Sequence, residues 1–325
     1  MNKAHFLFLF ISFVFFSCEK KSDNSPRKTA GKINTISVII DDQLWNGEVG
    51  DSVRNKFASP VIGLPQEEPL FTINQYPTKL LEGFMTDNRT IVVIKKGVEN
   101  KFEIKKNQYA SPQNVFHISG KTGADIIKSF EENAPEMIQI IKKMELAESQ
   151  RINSQSLLNP KVIANKFRIS LKIPSSYAFV LQKSKFIWLK KEISGGNTSL
   201  LIYEVPISSV KMDSNLITSI TKMRDSIGDL YISGREPNSK MITEEAYAPY
   251  LFKIKLNEKE TYETKGTWEL KNDFMTGPFI NYAIVDKENK RILVLEGFCY
   301  APSKEKRDLM HELESIIKSV IVLKN

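Results

Sequence analysis

Cys18 is the residue whose setting most directly specifies a reaction. An apolar run from Phe6 to Phe16 follows a short start bearing Lys3 and ends in Ser17-Cys18. A small residue before a cysteine at the end of such a run is the arrangement that lipoprotein signal peptidase requires. The pattern therefore predicts cleavage between Ser17 and Cys18 and acylation of the Cys18 thiol, although Phe15 stands where leucine is commoner. The run is about half of the ~20 residues a spanning helix needs, so it suits export better than a bilayer crossing. Several acyl chains on one N-terminus give the stable anchoring that a single chain does not.

A second group of reactive side chains, Asp41, Asp42, Glu48 and Asp51, shares a turn-rich segment with Trp45. Carboxylates in such a segment suit a hard cation such as calcium, which makes these five residues a candidate cation or ligand site. Their spacing does not match the EF-hand loop, and no metal is assigned. The plainer account is a strand end followed by a helix N-terminus, where acidic side chains are favoured by the helix dipole.

Other motifs yield less. Ser119-Gly-Lys-Thr-Gly123 lies between a strand and a helix as a phosphate loop would, but Val115 stands where that motif needs a glycine, so a polar turn and helix cap is the better reading. Glu67 and Glu68 are adjacent, whereas a retaining glycosidase pair faces across a substrate at about 5 Å; solvated loop charges account for them. His117 and His311, the histidines left once His5 departs with the signal, suit structural roles. No nucleophile elbow or zinc motif is present, so no catalytic residue and no cofactor is assigned. Cys299 lies in an apolar stretch and has no partner if Cys18 is a thioether; a buried inert thiol fits it.

These residues need a scaffold, and 325 residues with 41% hydrophobic content suffice for two cores. The net charge of +8 is mild and spread, with short basic groups beside strands, which argues against nucleic acid as a partner. Residues 18–31 lack apolar content and read as a lipidated N-terminus and flexible tether after the signal peptide, 1–17. The N-terminal domain, 32–150, has strands expected at 33–40, 70–73, 91–94, 102–104 and 115–118 and a helix from about Asp51. Two further helical runs are separated by a pause at Asn133-Ala-Pro135. Polar residues 147–160 read as a boundary.

The C-terminal domain, 151–325, has strands expected at 167–173, 186–189, 200–205, 267–270, 280–285 and 291–300. Gly195-Gly-Asn197 marks a hairpin, 217–227 a helix, and Leu309, Leu313, Ile316, Ile317 and Val320 a final amphipathic helix that Ser303 could cap. The class is α+β, two domains with mainly antiparallel sheets covered by helices. The element order of the second domain resembles the α/β/α sandwich of Mog1 and PsbP proteins.

Several segments together resemble one family, the Bacteroidota lipoproteins grouped as domain-of-unknown-function family 4837, over nearly the whole mature chain. They are the segments at 31–36, 41–51, 63–71, 224–228, 266–269, 275–279 and 296–302, which include Asp41-Asp-Gln-Leu-Trp45, Arg224-Asp-Ser-Ile-Gly228 and Glu296-Gly-Phe-Cys-Tyr300. The resemblance implies a lipid-anchored envelope protein at the outer membrane with no known activity. Glu19-Lys20-Lys21 departs from the acidic cluster that surface-exported members of that group carry, which favours the periplasmic side.

The resulting expectation is a membrane-anchored binding or interaction protein, partnered by the membrane through its acyl chains and by another envelope protein or component. A discriminating feature would be an exposed apolar groove or edge strand. The alternatives are a hydrolase or cation-dependent enzyme sited around Asp41–Asp51 or 65–69, and a small-lipid or ligand carrier, which needs an internal cavity that no linear pattern reveals.

Overall fold

The computed structural model describes residues 27–211 and 215–323; Ser17 and Cys18 lie outside them. The N-terminal unit is built on β1 (Thr35–Ile40), α1 (Asp42–Trp45), α2 (Glu48–Phe57), β2 (Thr72–Tyr76), β3 (Thr90–Lys96), β4 (Lys101–Lys106), β5 (Asn114–Gly120) and α3 (Gly123–Asn153). Its five strands lie in the order β2-β1-β3-β5-β4. Three of the four pairings are parallel and only β4 with β5 is antiparallel, a local exception in a chain where antiparallel pairing predominates. The reason is burial on both faces. Ile36, Val38, Ile40, Val92 and Ile94 pack under α2 and α3, while Ile39, Ile91 and Val93 pack on the other side with Tyr76, Leu81 and Tyr109.

Helix α3 runs unbroken for 31 residues, about 46 Å at 1.5 Å per residue, where the sequence suggested a pause at Pro135. An interior proline costs about 3 kcal/mol. Against that, Ile126, Phe130, Met137 and Ile141 are fully buried along one stripe, each contributing roughly 1.5–3 kcal/mol. The Asn133 side chain also donates to the Ser129 carbonyl at 2.7 Å beside the interruption. Thr122 caps the helix reciprocally with Asp125, so the Ser119–Gly123 segment is a turn and a capping box.

The C-terminal unit comprises α4 (Lys161–Phe167), β6 (Ala178–Lys183), β7 (Phe186–Ile193), β8 (Gly196–Pro206), α5 (Leu216–Tyr231), β9 (Lys240–Thr243), β10 (Tyr250–Leu256), β11 (Lys259–Lys271), β12 (Thr276–Asp286), β13 (Arg291–Tyr300) and α6 (Arg307–Ile317). The sheet is antiparallel throughout, in the order β9-β11-β12-β13-β8-β7-β6, with β10 pairing the first half of β11. The predicted hairpin joins β7 to β8 through Gly195 at φ +77°. Alternation along the strands sends Ile187, Leu200, Tyr282 and Leu295 to one face under α4 and α6, and Tyr203, Phe279, Ala283 and Val294 to the other under α5. That is a three-layer α/β/α arrangement, as the element order suggested. The segment at 167–173 supplies only a two-residue strand, Ile169–Ser170, paired with Ile321–Val322, because α4 takes Phe167 into the core as its last turn.

The far end of α3 packs on α6. Ser149 Oγ and Asn153 Nδ2 donate to Ser315 Oγ at 3.2 and 2.8 Å, and Gln150 Nε2 donates to the Ser315 carbonyl. Helix α3 thus packs into the N-terminal core and docks on α6 of the C-terminal unit through these hydrogen bonds, which fixes the geometry of what lies between them.

Candidate ligand-binding cleft between the two units

The loop from Pro60 to Pro69 leaves the N-terminal unit and lies on the C-terminal sheet. Its base closes through Val61 N–H donating to the Glu68 carbonyl and Leu70 N–H to that of Ser59. Gly63, at φ +88°, sits so close to β11 that a Cβ there would lie 2.8 Å from Lys265 Cβ. Glu68 is 7% exposed, not the solvated charge the sequence suggested. Its carboxylate accepts from the backbone amides of Lys306 and Arg307 at 2.7–2.9 Å, capping α6 in place of Ser303. The Arg307 guanidinium returns to the Pro69 carbonyl and to Thr72 Oγ1.

Between this loop, α3, β11, β12 and α6 is a cavity of about 430 Å³. Ile62, Leu64, Leu70 and Phe71 line it from the loop side, and Leu146, Phe279 and Met310 from the helices and sheet. Its polar part is a charged cluster. Lys265 Nζ lies 2.8 Å from Glu263 and 4.0 Å from Glu314, while Lys318 Nζ lies 2.6 Å from Glu314. Tyr282 donates its hydroxyl to Glu314 at 3.1 Å. Burial opposes ionisation of Glu314, but the Lys265 and Lys318 ammonium groups outweigh it and hold the carboxyl at about 2. Burial likewise disfavours the charge on Lys265, yet Glu314 and Glu263 raise its pKa overall. Burial, with the Glu314 charge second, pushes the Tyr282 phenol well up. Lys142, on α3, keeps much of its side chain in water; partial desolvation at the cleft and then the Lys265 charge lower its pKa.

The sequence-derived site lies elsewhere. Asp41 and the cleft residue Asn34 flank β1 at opposite ends, roughly 23 Å apart at 3.3 Å per residue. Asp41 accepts from Thr78 Oγ1 and Asp42 from Gln75 Nε2, while Glu48 and Asp51 occupy the first turn of α2. Asp51 pairs with Arg54 at 2.7 Å, whose guanidinium lies 4.4 Å over the Trp45 ring. Among the described residues no group of three or more His, Cys, Asp or Glu is arranged to hold a metal. Cys299 is buried, with its thiol pushed up to about 12 by desolvation, as an inert core residue would be. His117 hydrogen-bonds Gln108 across 2.8 Å, but His311 reaches the cleft and approaches the Glu145 carbonyl at 3.3 Å. None of the cleft's lysines, arginine or glutamates was singled out from the sequence; the Glu314/Lys318 pair carries a local signal in its i,i+4 spacing, and the others come from segments far apart in the chain.

Fold and cleft together define a two-unit α+β protein with a cavity at the junction. The chain belongs to the family described as Domain of unknown function (DUF4837), whose model matches residues 156–319, just over half of it. Residues 29–154 match a different model, Domain of unknown function (DUF8532), so the family resemblance read across the whole chain divides between two families, one for each unit. No curated protein matches. Among solved structures the chain is similar to the Ran-binding protein Mog1p of Saccharomyces cerevisiae, at 10% identity over 48% of this chain and 90% of that one, TM-score 0.32. It is also similar to cyanobacterial PsbP from Synechocystis sp. PCC 6803, at 9% identity over 46% and 83%, TM-score 0.31.

Proposed function

We propose that this chain is a non-enzymatic binding protein of the cell envelope that holds a small envelope component in the cleft between its two units. Acyl chains on Cys18 anchor it at the outer membrane, with the body facing the periplasm. The anchor rests on the run ending in Ser17-Cys18. The binding role rests on the cavity of about 430 Å³, within the roughly 300–1,000 Å³ usual for small-ligand sites, where an apolar wall meets a comparable number of convergent polar and charged side chains.

Photolabelling tests the binding role. The full chain in its membrane is irradiated with a neutral diazirine-bearing alkyl alcohol and the labelled peptides are mapped. Label concentrated on peptides carrying Ile62, Leu64 and Met310, and lost in Leu64→Trp, is the expected result; label spread without preference over the surface would count against the cleft. For the anchor, Cys18→Ser abolishes incorporation of labelled palmitate and normal maturation.

A further inference from the structure

The charge around the cleft does not cancel. Five cations line it, Lys142, Lys143, Lys265, Arg307 and Lys318, against two carboxylates, Glu263 and Glu314. Each carboxylate already holds a close partner, Lys265 for Glu263 and Lys318 for Glu314, and Arg307 is matched by Asp308 at 2.9 Å. The uncompensated charge falls on Lys142 and Lys143, neighbours on α3 that make no hydrogen bond or ion pair with the described residues. Opposite them the wall is apolar and incompletely covered: Ile62 is 49% exposed although it lines the cavity, and Leu64 and Leu70 are only partly buried.

We infer that the cleft takes a single-chain anionic amphiphile, a carboxylate or phosphate head meeting Lys142 and Lys143 and an alkyl tail lying along Ile62, Leu64, Leu70 and Met310. This rests on the binding role proposed above and adds the ligand's chemistry to it. An anion at Lys142 and Lys143 supplies the direct partner that the protein's own carboxylates do not give these two lysines, and the partial desolvation of Lys142 at the cleft makes that pairing worth more than in open water. The tail covers apolar surface that otherwise faces solvent. A volume of about 430 Å³ accommodates an alkyl chain.

The test compares diazirine-bearing probes at equal concentration on the full chain in its membrane: a decanoic acid, a decyl phosphate and the uncharged decanol. The expected result is labelling of the cleft peptides at least ten times more efficient for an acidic probe than for the alcohol. The better of the two acids assigns the head. The double variant Lys142→Met, Lys143→Met, at two exposed positions of α3 on the rim of the cleft, should bring the acids within about twofold of the alcohol while its thermal transition stays in place. If the alcohol labels the cleft as well as the acids, or the double variant keeps the preference, the anionic class is overturned and the cleft reading stands. Competition by free phosphate or acetate as effective as by decanoate would overturn the amphiphile in favour of a head group alone. Absence of label from the cleft with every probe would overturn both.

Discussion

The Glu68 carboxylate accepts hydrogen bonds from the backbone amides of both Lys306 and Arg307, so a loop of one unit caps the last helix of the other. Those amides open α6, where the helix dipole favours an anion and the donors have no partner within the helix. Glu68→Ala should lower stability by about 1–2 kcal/mol in urea titrations. The exposed neighbour, Glu67→Ala, should stay within about 0.5 kcal/mol. Equal effects at the two positions would show that the cap contributes nothing beyond loop charge.

Glu145 on α3 is fully buried and faces Arg89, 3% exposed, through two contacts of 3.0 Å. Arg89 also donates to the carbonyls of Gly31 and Lys32, and Glu145 accepts from the Asn34 amide, so the pair pins the strand β1 approach to α3. Glu145→Ala leaves the buried guanidinium with only the more distant Glu148 carboxylate, at 3.9 Å, and should cost about 3–5 kcal/mol. Replacing both partners by methionine should recover most of that loss, because no charge then remains to be desolvated. A double variant as unstable as the single one would mean that the backbone contacts, not the ion pair, carry the stability.

What could be read from the chain depended on how local each feature is. Strand β13 coincides with the span expected from its apolar run, and the Gly195 hairpin and the Thr122 cap follow from residues within a few positions of one another. The parallel sheet left a trace in the unbroken apolar runs at 38–40 and 91–94, which do not alternate because both faces are covered. Pro135 misled because local propensity favours a break there, whereas the core stripe on α3 outweighs it. The cleft was not legible. Gly63, Lys142, Lys265 and Glu314 lie on four separate segments, and only folding brings them together.

Glu314 gives the cleft a pH signature. Its carboxyl is held at about 2, below its ordinary 4.5, so the folded state binds the proton more weakly than the unfolded one. The stability this contributes is fully present above about pH 4.5 and is lost as pH falls toward 2. In urea titrations from pH 6 to pH 2, the wild type should lose stability more steeply below pH 4.5 than Glu314→Gln, which lacks the titrating group. Parallel profiles would mean that Lys265 and Lys318 do not hold the carboxylate ionised.

Gly63 tests whether the loop's seat on β11 shapes the cleft. Any side chain there meets two obstacles, the strain of φ +88° and a Cβ only 2.8 Å from Lys265 Cβ. Gly195 shares the first, at φ +77°, but has nothing within 4 Å of an added Cβ. Gly195→Ala should therefore cost only the left-handed backbone penalty, about 1–2 kcal/mol. Gly63→Ala should cost more and also reduce labelling of the cleft peptides, because the loop must lift off Lys265 to make room. If the two variants are equally stable and label alike, the loop moves freely over β11 and the wall formed by Ile62 and Leu64 is not set by that contact. A larger loss at Gly63 confined to labelling, with equal stability, would instead mean that the loop shifts at little cost and that its position matters to the ligand alone.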